Sequence, residues 1–289
     1  MKMSTACIRC LVDSQEKKIR QFTDEHKKSS HMKEVLRIIG GSEEDASAPQ
    51  VVSAIRRSYE AHFGVKEDFS EKKHFFNHLV MDMEDELWEK ITASPEPLRY
   101  AMSLSRACNY IDFGTGQKID PEILKQLIAD TEREPVDEKM YEDFVKEAAK
   151  AGKLVYLLDN CGEIVLDKLA IRCLQERFGQ MDIVAVVRGA EVLNDVTAED
   201  ALEVGLDKIV PIVANGTDIA GTQISAVNEE TRTLLQKADI ILSKGQGNFE
   251  TMYGCGLNVY YLFLCKCDWF ASVFGVPKNA GMFLKEKRA

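Results

Sequence analysis

Three short stretches bring together residue types that can hold a cation and an anion side by side. "LLDNCGE" (157–163) offers Asp159, Asn160 and Glu163; "VVRGAEVLND" (186–195) offers Arg188, Asn194 and Asp195; "SKGQGNFE" (243–250) offers Lys244, Gly245, Gln246, Asn248 and Glu250. Asp159, Asn160 and Asp195 are hard oxygen donors, suited to Mg²⁺ or Mn²⁺ rather than to zinc. Two carboxylates and an amide leave positions on an octahedral cation for water and substrate. Arg188 and Lys244 supply positive charge for an anionic group beside it, and the glycines of "KGQG" let backbone N–H groups approach that anion. The arrangement differs from the Gly-x4-Gly-Lys nucleotide loop, because Lys244 precedes the glycines. Phosphoryl chemistry rests on positioning and charge stabilisation, which a metal, a lysine and an amide cradle supply.

Each residue also has a plainer use. An Asp or Asn ahead of a helix is most often an N-cap, which applies to Asp159 and Asn194. Lys244 could be the first solvated residue after a strand, and Gly245 and Gly247 turn formers. Glu163 could support the site or simply be a charge favoured at a helix N-terminus. Convergence on one edge is what favours a site, and "VANGTDIAG" (213–221) adds Asn215, Gly216 and Asp218 to the same rim. Cys161 has no histidine near it in sequence to activate it and reads as packing. The five histidines all precede residue 80. His74 and His78, four apart, could bind a metal from one helix face, although no acidic partner stands at ligand spacing. Cys7 and Cys10, with Cys265 and Cys267, could form a four-thiolate zinc site, although Cys-x-Cys is an uncommon ligand spacing.

These stretches need strands to present them. "KLVYLLD", "DIVAVVR", "KIVPIV", "DIILSKG" and "NVYYLFLC" are short, nearly continuous apolar runs, the pattern of fully buried parallel strands. Helical patterns separate them, such as "EIVLDKLAIRCLQERF" with Leu166, Leu169, Ala170, Cys173 and Leu174 on one stripe. Residues 151–289 are therefore predicted to form a Rossmann-like α/β unit, a parallel sheet sandwiched by helices (α/β/α). In such sheets ligands bind beyond the carboxyl ends of the strands, where the three polar stretches fall. Residues 1–150 read as an all-helical domain, with residues 99–115 lining the site. Asp120 before Pro121, and Asp137, are its clearest helix starts.

Composition removes several classes. A net charge of −10 and a pI near 5.2 argue against a nucleic-acid binder. No run of about eighteen apolar residues exists to span a membrane, and the opening "MKMSTACIRCLVDSQEKK" lacks the apolar stretch of a signal peptide. A cytoplasmic location with reduced cysteines is expected. A nucleotide- or S-adenosylmethionine-dependent Rossmann transferase would need a glycine-rich first turn, where Gly162 stands alone. A haloacid-dehalogenase-type phosphatase would need Asp-x-Asp, where Cys161 takes the second position. A scaffold protein would leave the polar rim without a use.

Taken in order on successive strands, "LLDNCGEIVLD", "VVRGAEVLNDVT" and "SKGQGNFET" resemble the ARMT-like metal-dependent damage-control phosphatases, over essentially the whole chain. "CNYIDFG" (108–114) resembles the helical segment that closes over the site in that family, and "CIRC" and "CKC" resemble its prokaryotic-type branch. The resemblance implies a divalent metal (Mn²⁺, Co²⁺, Ni²⁺ or Mg²⁺) on Asp159, Asn160 and Asp195. It implies Lys244 on the phosphate, with Asn109 and Asp112 contributing from the helical side. The implied substrates are sugar phosphates or related, possibly damaged, small phosphometabolites. A carboxyl methyltransferase activity is the alternative that the resemblance carries.

Overall fold

The computed structural model describes residues 1–111, 120–131 and 135–286. Side-chain alternation along the central strands decides the architecture. In β1 (Lys153–Leu157), Leu154 and Tyr156 enter one apolar core while Val155 and Leu157 enter another on the opposite face. The neighbours β2 (Asp182–Val187), β4 (Ile240–Lys244) and β5 (Val259–Cys265) divide in the same way. Both faces are covered, which is why these strands read as continuous apolar runs.

With β3 (Ile212–Ala214) and β6 (Ala280–Lys285), the sheet has the order β3-β2-β1-β4-β5-β6. Five strands are parallel and β6 is antiparallel to β5. The order reverses between β1 and β4, where open α/β sheets form a crevice. Register then levels the tips. Leu157 pairs with Val186 and with Ser243, so two residues on, Asp159 stands level with Arg188 and Gly245.

Two strand expectations change. The run "KIVPIV" yields a strand only from Ile212, because Pro211 has no N–H for the ladder, and residues 206–208 form a 3₁₀ turn instead. The edge strand β6 gave no signal, being partly exposed over most of its length.

Helices α1 (Thr5–Ile19), α2 (Glu25–Gly40) and α3 (Ala48–Phe63) share a core of Leu11, Val35, Ile39, Ala46, Val51 and Ile55. Helices α4 (Ser70–Met81), α5 (Glu84–Ala93), α6 (Pro97–Cys108), α7 (Pro121–Asp130) and α8 (Glu138–Ala148) instead add side chains to the core on one sheet face. The change at residue 150 is thus a change of element type, and the shared core crosses it. Asp120 caps α7, accepting from the Glu122 N–H with Pro121 at the first turn, and Asp137 caps α8 from the Met140 N–H at 2.8 Å. Each cap contributes about 1 kcal/mol. After β1, α9 (Glu163–Arg177) runs between the sheet and α6, buried at nearly every position up to Leu174, Asp167 and Lys168 included. Among the described residues no helix is long and apolar enough to cross a membrane.

Candidate active site at the strand tips

The loop after β2 folds back on the tip of β1. Arg188 N–H donates to the Val196 carbonyl, Val196 N–H to the Asp159 carbonyl, and Cys161 N–H to the Asn194 carbonyl, all within 2.9 Å. This ribbon sets Asp195 opposite Asn160 as an antiparallel bridge. The Arg188 guanidinium lies between the two aspartates, Nε on Asp195 Oδ2 at 2.6 Å and Nη2 on Asp159 Oδ1 at 3.2 Å. Its Nη1 is buried with no hydrogen-bond partner among the described residues.

Two carboxamides tie Asp159 to Glu163. Asn109, at the end of α6, accepts the Leu264 N–H through Oδ1 and donates to Asp159 Oδ2 at 3.1 Å and Glu163 Oε2 at 2.9 Å. Asn160 Nδ2 reaches the same two oxygens at 2.7 and 3.0 Å. Its Oδ1 accepts the Asn194 amide, which also donates to the Ile111 carbonyl. Asn109, Asp159, Asn160, Asn194, Asp195 and Arg188 are all buried.

Lys244 occupies a different place from the one expected. Its side chain is wholly buried, and its ammonium is bonded to Glu163, to Asp167 Oδ1 at 2.8 Å and to the Ser105 carbonyl at 3.5 Å. An ammonium has three donors, and all three are taken inside the protein. Ser105 Oγ and Tyr156 OH donate to the same oxygen, Asp167 Oδ1, at 2.5 and 2.7 Å, while Oδ2 is buried with no hydrogen-bond partner among the described residues. Lys244 therefore fixes Glu163, whose other oxygen holds the two amides.

Electrostatics follow from this packing. Burial, then Asp195 and then Glu163 push the Asp159 carboxyl well above its ordinary range, against the pull of Arg188 and Lys266. Burial also raises Asp167 despite Lys244. For Lys244, burial disfavours the charge but Asp167 and Glu163 outweigh it, so the ammonium is held charged. Among the described residues, four carboxyl groups (Asp159, Glu163, Asp167 and Asp195) thus face two cations in direct contact, Arg188 and Lys244. A surplus of buried negative charge among oxygen donors fits a divalent cation.

Gly245 does something other than cradle an anion. Its φ is +79° and its N–H goes to the Leu262 carbonyl at 3.1 Å. A Cβ there would lie 1.8 Å from Asp159 Oδ2, so the glycine makes room for that carboxylate. Asn248 spends its amide on the Leu158 and Lys244 carbonyls and its oxygen on Thr222 Oγ1, a brace between tips. Gln246 and Glu250 bond to each other at 2.7 Å on α12 (Gln246–Met252), and Gln246 takes the Lys266 N–H. Asn215 accepts the Gly189 and Thr217 N–H groups, and Asp218 turns to Ser53, Arg56 and Arg57 on α3. Asp112 lies outside the described residues. Burial pushes the Cys161 thiol up, in keeping with packing.

Asp167, Ser105, Tyr156 and Lys266 were absent from the sequence expectations. Glu163 and Asp167, four apart in a helix with an apolar stripe, were the available signal. Among the described residues the cysteines form no three-ligand cluster, although Cys7 lies within electrostatic reach of Cys267; the cluster found is His74, His78 and Glu203.

The damage-control phosphatase ARMT1-like domain matches residues 3–282. The chain is 30% identical over 282 residues to a damage-control phosphatase of Archaeoglobus fulgidus, covering 96% of each. It is 31% identical over 192 residues to a damage-control phosphatase of Pyrococcus horikoshii, 65% of this chain and 64% of that one. In fold it is similar to the crystal structure of a DUF89 family protein from Pyrococcus horikoshii, with a TM-score of 0.83 at 24% identity, covering 99% of this chain and 100% of that one. The chain belongs to the ARMT1-like damage-control phosphatase family.

Proposed function

We propose that the protein is a divalent-metal-dependent phosphatase that hydrolyses small phosphorylated metabolites such as sugar phosphates. The observation that carries this reading is the charge surplus at the strand tips beside a buried Arg188 whose Nη1 has no acceptor among the described residues. The names of the relatives support the reaction class.

Asp159, Asn160 and Asp195 would hold the ion (Mn²⁺, Co²⁺, Ni²⁺ or Mg²⁺), with Asn160 serving through Oδ1, the atom that accepts the Asn194 amide. When bound, the ion supplies Lewis-acid stabilisation of the charge on the phosphoryl oxygens. The remaining work falls to the chain. Arg188 is oriented by two carboxylates and directs Nη1 to a phosphate oxygen. Lys266, electrostatically coupled to Asp159, adds positive potential on that side. Lys244 holds Glu163 in place, and Glu163 orients the amides of Asn109 and Asn160.

Water is the proposed nucleophile. Asp159 would already serve the ion and accepts three hydrogen bonds, from Arg188, Asn109 and Asn160, and a carboxylate so occupied is a poor nucleophile. Attack forms a bond from the water oxygen to phosphorus as the bond to the leaving oxygen breaks. One water proton ends on the released alcohol.

The methyltransferase reading is weighed down by the β1–α9 turn. Gly162 N–H is taken by Asn77 Oδ1 at 2.7 Å, and a Cβ on Gly162 would meet Ile111 Cδ1 at 2.6 Å and the Phe76 carbonyl at 3.1 Å. A cofactor that needs close backbone approach there meets filled space.

The test is phosphate release from a series of sugar phosphates and other phosphometabolites by metal-stripped protein, with and without each of the four ions. Metal-dependent release, with solvent ¹⁸O appearing in the phosphate on single turnover, is expected. Undiminished release under chelation would remove the metal from the proposal. Methyl transfer from S-adenosylmethionine, with no phosphate released from any compound, would replace it.

A further inference from the structure

A second group of side chains, away from the strand tips, has the types, spacing and support of a metal site. His74 and His78 stand one turn apart on α4, with ring centroids 4.2 Å apart. Glu203, from the end of α10 (Ala198–Glu203), reaches both. Its Oε1 pairs with His74 Nδ1 and lies 3.5 Å from His78 Nε2. One ligand atom from each of the three lies within 4.8 Å of the others. The carboxylate is aimed by a third residue of α4: Asn77 Nδ2 donates to Glu203 Oε2 at 2.6 Å, turning Oε1 toward the imidazoles. Asn77 is itself buried and held by the Gly162 N–H and Asp200.

We propose that His74, His78 and Glu203 form a surface site for a borderline transition ion, Zn²⁺, Ni²⁺ or Co²⁺, distinct from the oxygen-lined cluster at the strand tips. Two imidazoles four apart on a helix and one carboxylate are preferred zinc ligands, and nitrogen donors select against Mg²⁺. The Asn77 hydrogen bond is the outer-shell support that such sites use to orient a ligand. Side-chain exposures of 63% and 49% for the histidines leave room for water to complete the coordination. An ion here ties α4 to α10. Because Asn77 lies between the two histidines in sequence and caps Gly162, it also stiffens the turn that carries Glu163.

The experiment titrates the metal-stripped full chain with Zn²⁺ while following histidine ring resonances by NMR and the thermal midpoint. The expected result is one equivalent of Zn²⁺ that shifts two ring resonances and raises the midpoint. Asp195→Ala keeps this equivalent, the His74→Ala/His78→Ala pair abolishes it, and Glu203→Gln weakens it about tenfold. Unmoved ring resonances in the wild type, or an unchanged equivalent in the double-histidine variant, would overturn the proposal. No histidine was found in the tip cluster, so either outcome leaves the phosphatase reading to its own test.

Discussion

The tip of β3 and the tips of β1, β2 and β4 are written in the same residues, yet they do opposite things. At the β3 tip one carboxylate, Asp218, meets two arginines and a serine hydroxyl from α3, and its charge is fully answered. Among the described residues at the central tips, four carboxyl groups share two contacting cations and one nitrogen of Arg188 lacks a partner. Answered charge braces a fold; surplus charge, kept buried at a stability cost, marks a place where something binds.

The sharpest way to break this contrast is Lys244→Met. It leaves Glu163 and Asp167 buried without their counterion and is expected to cost about 3–5 kcal/mol in urea unfolding. A loss no larger than that of a surface ion pair would show that Lys244 is not the keystone of the cluster.

Next in size is a pair of glycine variants. Gly245→Ala puts a methyl on the Asp159 carboxylate at φ +79° and should lower phosphate release about 10²-fold, on top of a backbone cost of about 1–2 kcal/mol in stability. Gly216→Ala, at the β3 tip with φ +78° and its nearest neighbour 3.1 Å away on Asn228, should cost about 1–2 kcal/mol of stability and leave turnover alone. Equal effects on turnover would erase the distinction between the tips.

The two tips should also respond oppositely to pH. The carboxyl of Asp159 is raised in the fold, so its contribution is fully present below its ordinary 3.8 and is lost as pH rises through the folded value. Added Mn²⁺ should therefore raise the thermal midpoint more at pH 8 than at pH 5. For Asp218, burial raises the carboxyl, but Ser53 and the arginines outweigh it and hold it low. Its contribution is present above 3.8 and is lost as pH falls through the folded value. A Mn²⁺ effect independent of pH would count against Asp159 as a ligand.

The smallest expected effect is Asp218→Asn, about 1 kcal/mol in urea unfolding, with phosphate release unchanged.

Much of this was legible beforehand, and for definite reasons. Parallel strands buried on both faces announce themselves as apolar runs, and caps such as Asp120 and Asp137 act within a few residues of themselves. The positions of Asp159, Asn160, Arg188 and Asp195 followed from the rule that such sheets work at their carboxyl ends. Lys244 stood in the sequence as a grip for phosphate, and its ion-pair partners on α9, about eighty residues back, could not be read from spacing. A carboxamide such as Asn248 cannot show in sequence that its amide will go to backbone carbonyls. His74 and His78 read as partnerless, since Glu203 lies more than a hundred residues on.

Residue order by itself determined the element types, the parallel sheet and which loops carry donors, because periodicity and capping are local interactions. Only the tertiary structure decided which charges are answered and which remain in excess. That balance depends on side chains meeting across strands β1, β2 and β4 and helices α6 and α9, at distances that spacing along the chain does not encode.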